Sequence, residues 1–501
     1  MKELLERNKI LFLKCLIWSY FFGMFAHAYM YFNNSMTHDS LAEFASSHTW
    51  KMQIGRVFVP FYQTYIRGPM ILPFLIGVLT LLYIGIAVFL IVKLFSVKSN
   101  LLIALISGIM TVNVTVIATT ATFIGDLDCD ILAMLFSVVA VFCWKKCKFG
   151  FLFGAIPLMF TFGLYQSYVS VTITLIIFML LFELFDGKSF KEEILSGLKG
   201  VAMILLAGAL YFISLKAILA INNLTIWSGS YNSIDTSLSL SVIEILKNMW
   251  DAIKTAIKAT IFPYSLFSSK FNVIVHIVLV IISAISIITA LLSKKIKFTE
   301  KVLIALLIII LPLGMNICHV LTNNMSHELM YYAFNLFYIF VLLITFKNAN
   351  MFEINKVLKP ISVILVAIII FGNIRLANLT YMVKEQQSDA VLSYFTGVTS
   401  KMDDIDGYKS GQTKVCFFGT DYTFLPWGYD GVEGIFGMGG GFLQNQDFYI
   451  YYYRYFEYYL MRREWIVPQE DVKDMEFVNQ MPSYPEKGCM QFVDDILVVK
   501  L

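Results

Sequence analysis

The chain has 501 residues, of which 58% are hydrophobic and only 15% charged, with a formal net charge of +3. A typical soluble domain carries roughly 25% charged residues, so this composition excludes an ordinary soluble globular protein. In so apolar a chain the distribution of Lys and Arg matters more than their sum, and no nucleic-acid partner is expected.

Apolar runs long enough to cross a ~30 Å hydrocarbon core as helices predict about eleven spans. Their limits are near 10–31, 71–92, 101–120, 129–144, 149–164, 168–185, 199–220, 271–292, 302–319, 328–346 and 358–376. The first lacks a small-residue cleavage site and reads as a retained helix rather than a signal peptide. Basic residues gather in alternate loops: Lys2, Arg7 and Lys9; Lys93 and Lys98; Lys145, Lys146 and Lys148; Lys188, Lys191 and Lys199; Lys294, Lys295, Lys297 and Lys301; Lys347, Lys356 and Lys359. The intervening stretches 119–128, 165–167 and 320–326 have none. By the positive-inside rule the N-terminus is expected in the cytoplasm and the C-terminal part outside. Membrane lipid is therefore an expected partner.

Two long outer loops interrupt the spans, 32–70 and 221–270. In the second, Ile243, Leu246, Met249, Ile253 and Ile257 recur at helical spacing over 242–259, opposite Lys247, Lys254 and Lys258. This pattern predicts an amphipathic helix in the membrane interface. The chain thus divides into a transmembrane part, 1–376, and a small outer α/β domain, 377–501. In the latter, 414–419 reads as a strand and 489–501 as a hairpin turning at Asp494-Asp495. Cys416 and Cys489 fall on these strands, where either a disulfide or two separate thiols fits the sequence. The aromatic run 448–460 is expected to rest on the bilayer or the transmembrane bundle.

Candidate chemistry gathers at the outer face. Asp39 reads either as the N-cap of a helix starting near Ser40 or as a general base, since an acid near lipid is costly to retain; His38 would tune or orient it. Asp126 and Asp128, in the run ending at Asp130, read as oxygen ligands for a divalent cation such as Mg or Mn, or as a helix N-terminus favoured by negative charge. Gln166 and Tyr168 could hydrogen-bond a sugar or satisfy a turn. Arg56 and Arg375 suit a phosphate, whereas Arg67 is expected to anchor at the headgroup level. His319, His327 and Glu328 flank one short loop without the spacing of a zinc site. No Gly-rich phosphate loop appears in the sequence.

Thr37-His-Asp-Ser40 leading to Gly55-Arg56, Gly125-Asp-Leu-Asp128, Tyr165-Gln-Ser-Tyr168, and Asn373-Ile-Arg-Leu-Ala-Asn378 with Tyr381 and Glu385 beyond it carry a resemblance. In layout the chain resembles the bacterial serotype-converting O-antigen glucosyltransferases, multi-pass membrane enzymes of the GT-C class. The resemblance implies a GT-C-like polytopic α-helical fold in the bacterial inner membrane. It implies transfer of glucose or a related hexose from an undecaprenyl-phosphate-linked donor to a polysaccharide or lipid-linked oligosaccharide acceptor. It places an essential acid in the first outer loop, a role that falls on Asp39; many GT-C members show paired acids where this chain has His38-Asp39. Arg56, Arg375 and Glu328 would then face the substrates. Rival readings are a lipid-linked sugar flippase, which should spread charge through the midplane and show repeated halves, and an O-antigen polymerase or ligase, which the long 221–270 loop would suit.

Overall fold

Backbone polar groups in a bilayer find no water and must pair within their own segment, so apolar runs become helices. In the computed structural model, nine helices among the described residues are long and apolar enough to cross a membrane. They are Lys9–Phe32, Pro73–Leu94, Asn100–Thr122, Ile124–Lys146, Gln166–Phe185, Phe190–Ile221, Phe271–Leu291, Phe298–Met315 and Glu353–Asp403. Two shorter apolar helices, Gly150–Leu164 and Tyr332–Asn348, occupy the places of the remaining expected spans. The structure describes residues 8–33, 35, 37, 49–228, 240–262, 270–292, 296–349, 352–419, 432, 435, 437, 438, 449–473 and 475–501.

The chain forms two compact units. The first holds residues 1–32, 48–120 and 126–378, the second 33–47, 121–125 and 379–501. Within the first unit, Asn100–Thr122 and Gln166–Phe185 are 89% buried along their apolar windows, whereas Phe190–Ile221 is only 22% buried. The former pair is interior and the latter turns its apolar surface outward, as a lipid-facing helix does. Lys9–Phe32 packs on Pro73–Leu94 through glycines: a Cβ at Gly77 would fall 2.5 Å from the Tyr31 ring, and one at Gly85 2.5 Å from Leu16. Small residues at such contacts let membrane helices approach closely. The Asn100–Thr122 span breaks at Val112-Asn113. There the buried Asn113 amide donates to the carbonyls of Ile109 and Met110, and its Oδ1 accepts from Val116 N–H. The break therefore leaves its freed backbone groups paired.

The amphipathic helix is present, Val242–Ile261, started by a Ser241/Glu244 capping box. Its polarity is the reverse of a soluble helix. Asn248, Ala252 and Ala256 point inward, while Val242, Ile243, Leu246, Trp250 and Ile257 are exposed. Asn248 donates to Asn323 Oδ1 at 3.0 Å, and Asn316 donates to the Ala252 carbonyl at 3.2 Å.

The second unit contains a four-stranded sheet of β1 (Lys414–Phe418), β2 (Trp465–Ile466), β3 (Met490–Val493) and β4 (Ile496–Lys500), in the order β2-β1-β4-β3. β1 runs parallel to both β2 and β4, and β3–β4 is the expected hairpin, with Asp494 at φ +54° in its turn. One face packs Val415, Phe417, Leu497 and Val499 against Phe395, Val398 and Met402 of the long helix. The other packs Cys416, Phe418 and Val498 against Val472 and Val478. Cys489 lies with the first face and Cys416 with the second, so the sheet itself separates the two thiols and both are free. The aromatic helix, Tyr449–Tyr458, differs from expectation. Its Tyr452, Tyr455 and Phe456 are buried in this unit's own core, with Tyr452 stacked on Phe417 at 4.9 Å and Phe456 5.7 Å from Phe395.

Candidate active site

The first unit concentrates charge where the 49–67 segment meets the start of the Leu127–Lys146 helix. Thr49–Gln53 forms a short helix that turns Lys51 inward. The chain then reverses at Gly55, whose φ of +93° is readily reached only without a side chain. The Gly55 carbonyl accepts from Tyr211 Oη at 2.8 Å and from Gln166 Nε2 at 3.3 Å. Gln166 also donates to Tyr211 Oη at 3.2 Å. Arg56 N–H closes the turn onto the Lys51 carbonyl at 2.8 Å. A π-helical turn, Gln63–Arg67, follows Val59–Tyr62 and buries Gln63 and Arg67 while leaving Tyr65 and Ile66 exposed.

Opposite these donors stand three carboxylates. Asp126 precedes the Leu127–Lys146 helix, and Asp128 and Asp130 lie in its first turn, where the aligned peptide dipoles favour negative charge. Asp126 is bound by Lys51, by Arg56 Nη1 at 3.3 Å and by Gln63 Nε2 at 3.3 Å. Asp128 accepts from Tyr62 Oη at 3.0 Å and from Cys129 N–H at 3.0 Å, with Arg67 Nη1 at 3.7 Å. Asp130 is buried, and its Oδ1 has no hydrogen-bond partner. Arg56 also lies over the Tyr165 ring, 4.3 Å from its centroid, a favourable cation–π placement. Burial and the Arg56 charge together hold the His327 imidazole down to about 4.

Several expected residues thus meet and others do not. Arg56, Asp126 and Asp128 converge. Gln166 serves the loop that presents Arg56, and Tyr168 is buried with its ring 5.5 Å from Tyr332. The Glu328 carbonyl accepts from Thr115 at 2.7 Å. Arg375 is elsewhere in the same unit. It lines a cavity of about 270 Å³ with His276, Asn335, Asn373, Phe334 and Phe371. Arg67 is not a headgroup anchor: it is buried against Asp128, because the π-helical turn rotates it inward. His38 and Asp39 lie outside the described residues. Asp126 and Asp128 do not present a ready set of metal ligands, since side-chain cations, Gln63 and Tyr62 already occupy their oxygens. No group of three His, Cys, Asp or Glu able to hold a metal occurs among the described residues.

The span that builds this cluster also lies within the match to a family model. A family model described as Glucosyl transferase GtrII matches residues 28–346. The chain belongs to the GtrII glucosyl transferase family. The matched stretch contains Lys51, Arg56, Gln63, Arg67 and the three aspartates, as well as His38 and Asp39, and stops before Arg375. No curated protein and no solved structure matches the chain. A multi-pass membrane glucosyltransferase must hold a sugar next to a group that takes its proton and offset charge on the leaving group. Residues that reasoning from sequence missed are Lys51, Tyr62 and Gln63. The spacing of Gln63 and Arg67, four apart on one helical face, is the signal that could have found the pair.

Proposed function

We propose that this family member moves glucose, or a related hexose, from undecaprenyl-phosphate-hexose to O-antigen or another surface polysaccharide. The transfer takes place at the outer face of the bacterial cytoplasmic membrane, with the N-terminus inside and residues 377–501 outside. The family match over residues 28–346 carries the glucosyl-transfer part of this reading. A membrane-bound chain with its charged cluster next to the first outer loop favours a lipid-carried donor.

In the proposed reaction the acceptor hydroxyl oxygen attacks the anomeric carbon with inversion. The bond from that carbon to the phosphate oxygen breaks, the phosphate keeps the electron pair, and Asp39 takes the hydroxyl proton. General-base help of this kind is worth about 10²–10⁴-fold. Arg56 offsets charge on the departing phosphate, held in place by Asp126, the Tyr165 ring and the Gly55 turn. Arg375 and the apolar cavity beside it accommodate prenyl chain near its phosphate. Because a divalent cation at Asp126 and Asp128 would have to displace Lys51, Arg56 and Arg67, no step is assigned to one.

The test is glycan analysis of cells carrying wild-type or Asp39→Asn protein at equal level. Asn caps a helix as well as Asp does, so the substitution removes the base while keeping a cap. Added hexose with wild type and none with the variant is the expected result. Unchanged transfer by Asp39→Asn would remove Asp39 from the chemistry. Redistribution of lipid-linked sugar across the membrane without any new glycan would replace transfer by flipping.

A further inference from the structure

Six acidic side chains are buried among the described residues: Asp126, Asp128, Asp130, Glu193, Glu300 and Glu464. Five of them have partners. Asp126 and Asp128 face cations, Glu193 lies 3.8 Å from Lys188, Glu300 accepts from the Phe190 N–H, and Glu464 pairs with Arg462. Asp130 differs. It is 5% exposed, its Oδ1 is buried without a hydrogen bond, and no described group pairs with its side chain. A buried carboxylate left alone is costly, so its retention calls for a reason.

Asp130 follows Asp126 by four residues, so the two share a helix face, the one that Arg56 meets. Two turns further along that face, Ser137 Oγ donates to the Tyr168 carbonyl at 2.8 Å. The Tyr168 ring lies 5.7 Å from that of Tyr165, over which Arg56 sits at 4.3 Å. Asp130 is the group that acts most strongly on Tyr168 by its charge, and Arg56 acts on both. Yet Arg56 makes no ion pair with Asp130. The Tyr168 hydroxyl, on a side chain 2% exposed, bonds to no described group. A carboxylate and a phenol are therefore neighbours that leave each other unbonded, and all these residues belong to the first unit.

We propose that Asp130 and Tyr168 hold one hydroxyl of the donor hexose, the 2-hydroxyl beside the anomeric carbon. A sugar hydroxyl both donates and accepts. It gives its hydrogen to the Asp130 carboxylate and takes one from the Tyr168 phenol, completing two groups that do not complete each other. Arg56, the partner of the departing phosphate in the reaction above, stands beside both, and the 2-hydroxyl is the ring hydroxyl nearest that phosphate. A site built to bond a hydroxyl rejects the analogue that lacks it, because its buried polar groups are then left unpaired. Asp130 and Tyr168 thus determine specificity, favouring hexoses with a free 2-hydroxyl over 2-deoxy sugars. The identity of the ligand as the donor rests on the transferase reading above.

The experiment measures binding of farnesyl-phosphoglucose and its 2-deoxy and 6-deoxy counterparts to the full-length protein in nanodiscs. It compares wild type with Asp130→Leu, Asp130→Asn and Tyr168→Phe, alongside thermal unfolding and hexose transfer. Wild type should bind the 2-deoxy compound about tenfold or more weakly than the parent, the loss of a hydrogen bond to a charged group, and the 6-deoxy compound almost as well. In Asp130→Leu the parent and the 2-deoxy compound should bind alike, and in Asp130→Asn and Tyr168→Phe the preference should shrink in part. Without ligand, Asp130→Leu should unfold no earlier than wild type, because it removes an unpaired buried charge. A 2-deoxy penalty that keeps its full size in Asp130→Asn and Tyr168→Phe overturns the site, as does a lower Tm with equal loss of all three compounds. A penalty confined to the 6-deoxy compound overturns the choice of hydroxyl. Hexose transfer by a wild type that shows no penalty removes the site and leaves the transferase reading standing. A penalty that depends on Asp130 in a protein that transfers no hexose does the reverse.

Discussion

At the scale of single residues, the buried pair Arg67–Asp128 separates charge that stabilises from charge that reacts. Replacing one member leaves the other buried without its partner, which costs about 3–5 kcal/mol, whereas replacing both by apolar groups is often neutral. Asp128→Asn should therefore lower the unfolding temperature in detergent, and Arg67→Met/Asp128→Leu should recover most of it. A double variant as unstable as the single would mean that the two do not act as a pair. His327 gives a pH effect of defined sign. Its folded-state value, about 4, lies below the ordinary 6.5. Above 6.5 both folded and unfolded chains hold it neutral; as pH falls toward 4 the unfolded chain alone takes the proton, and stability drops. His327→Gln should flatten the loss between pH 6.5 and 4 in thermal unfolding. The sequence made the aspartate run conspicuous but not its partners. Lys51, Gln63 and Arg67 come from two short helical turns far from the aspartates in the chain, where the four-residue step from Gln63 to Arg67 is the one pattern they carry.

Among elements, Val242–Ile261 shows what periodicity can and cannot say. Its apolar stripe was plain at three- and four-residue steps, yet a stripe does not say whether it faces a core or lipid. Ala252 and Ala256 turned inward, where small side chains allow close approach, with Ile243, Leu246 and Ile257 exposed, turn the stripe away from the unit's core. Spin labels at positions 246 and 247 of the protein in nanodiscs should differ: the first shielded from an aqueous paramagnetic quencher and reached by oxygen, the second the reverse. Equal aqueous access would place the helix off the membrane. The Tyr449–Tyr458 helix taught the opposite lesson. Its aromatic residues suited the bilayer boundary by type, but Phe395 and Phe417 offered a closer apolar surface that no local pattern displayed.

For the whole molecule, hydropathy alone located the apolar helices, since a bilayer leaves the chain few alternatives. The breaks within them, such as that at Asn113, were invisible because their stabilising bonds run to side chains rather than to a pattern. The C-terminal hairpin was legible from its turn. The parallel pairing of β1 with β4, residues about eighty positions apart in Lys414↔Ile496, was not. Orientation is tested by a reporter inserted after residue 380, which should be active only outside the cytoplasm; activity inside would invert every outer-face assignment.

The cluster around residues 51–67 sets Lys51 and Arg56 against Asp126 and Arg67 against Asp128. Opposite charges buried and paired at close range in this way cast little field at a distance. Substrate reaching such a place through the plane of the membrane is gathered by collision rather than drawn in, as strongly charged clefts draw their ligands. Raising ionic strength, which shortens the reach of exposed charge, should then leave the KM for the proposed prenyl-linked donor nearly where it was.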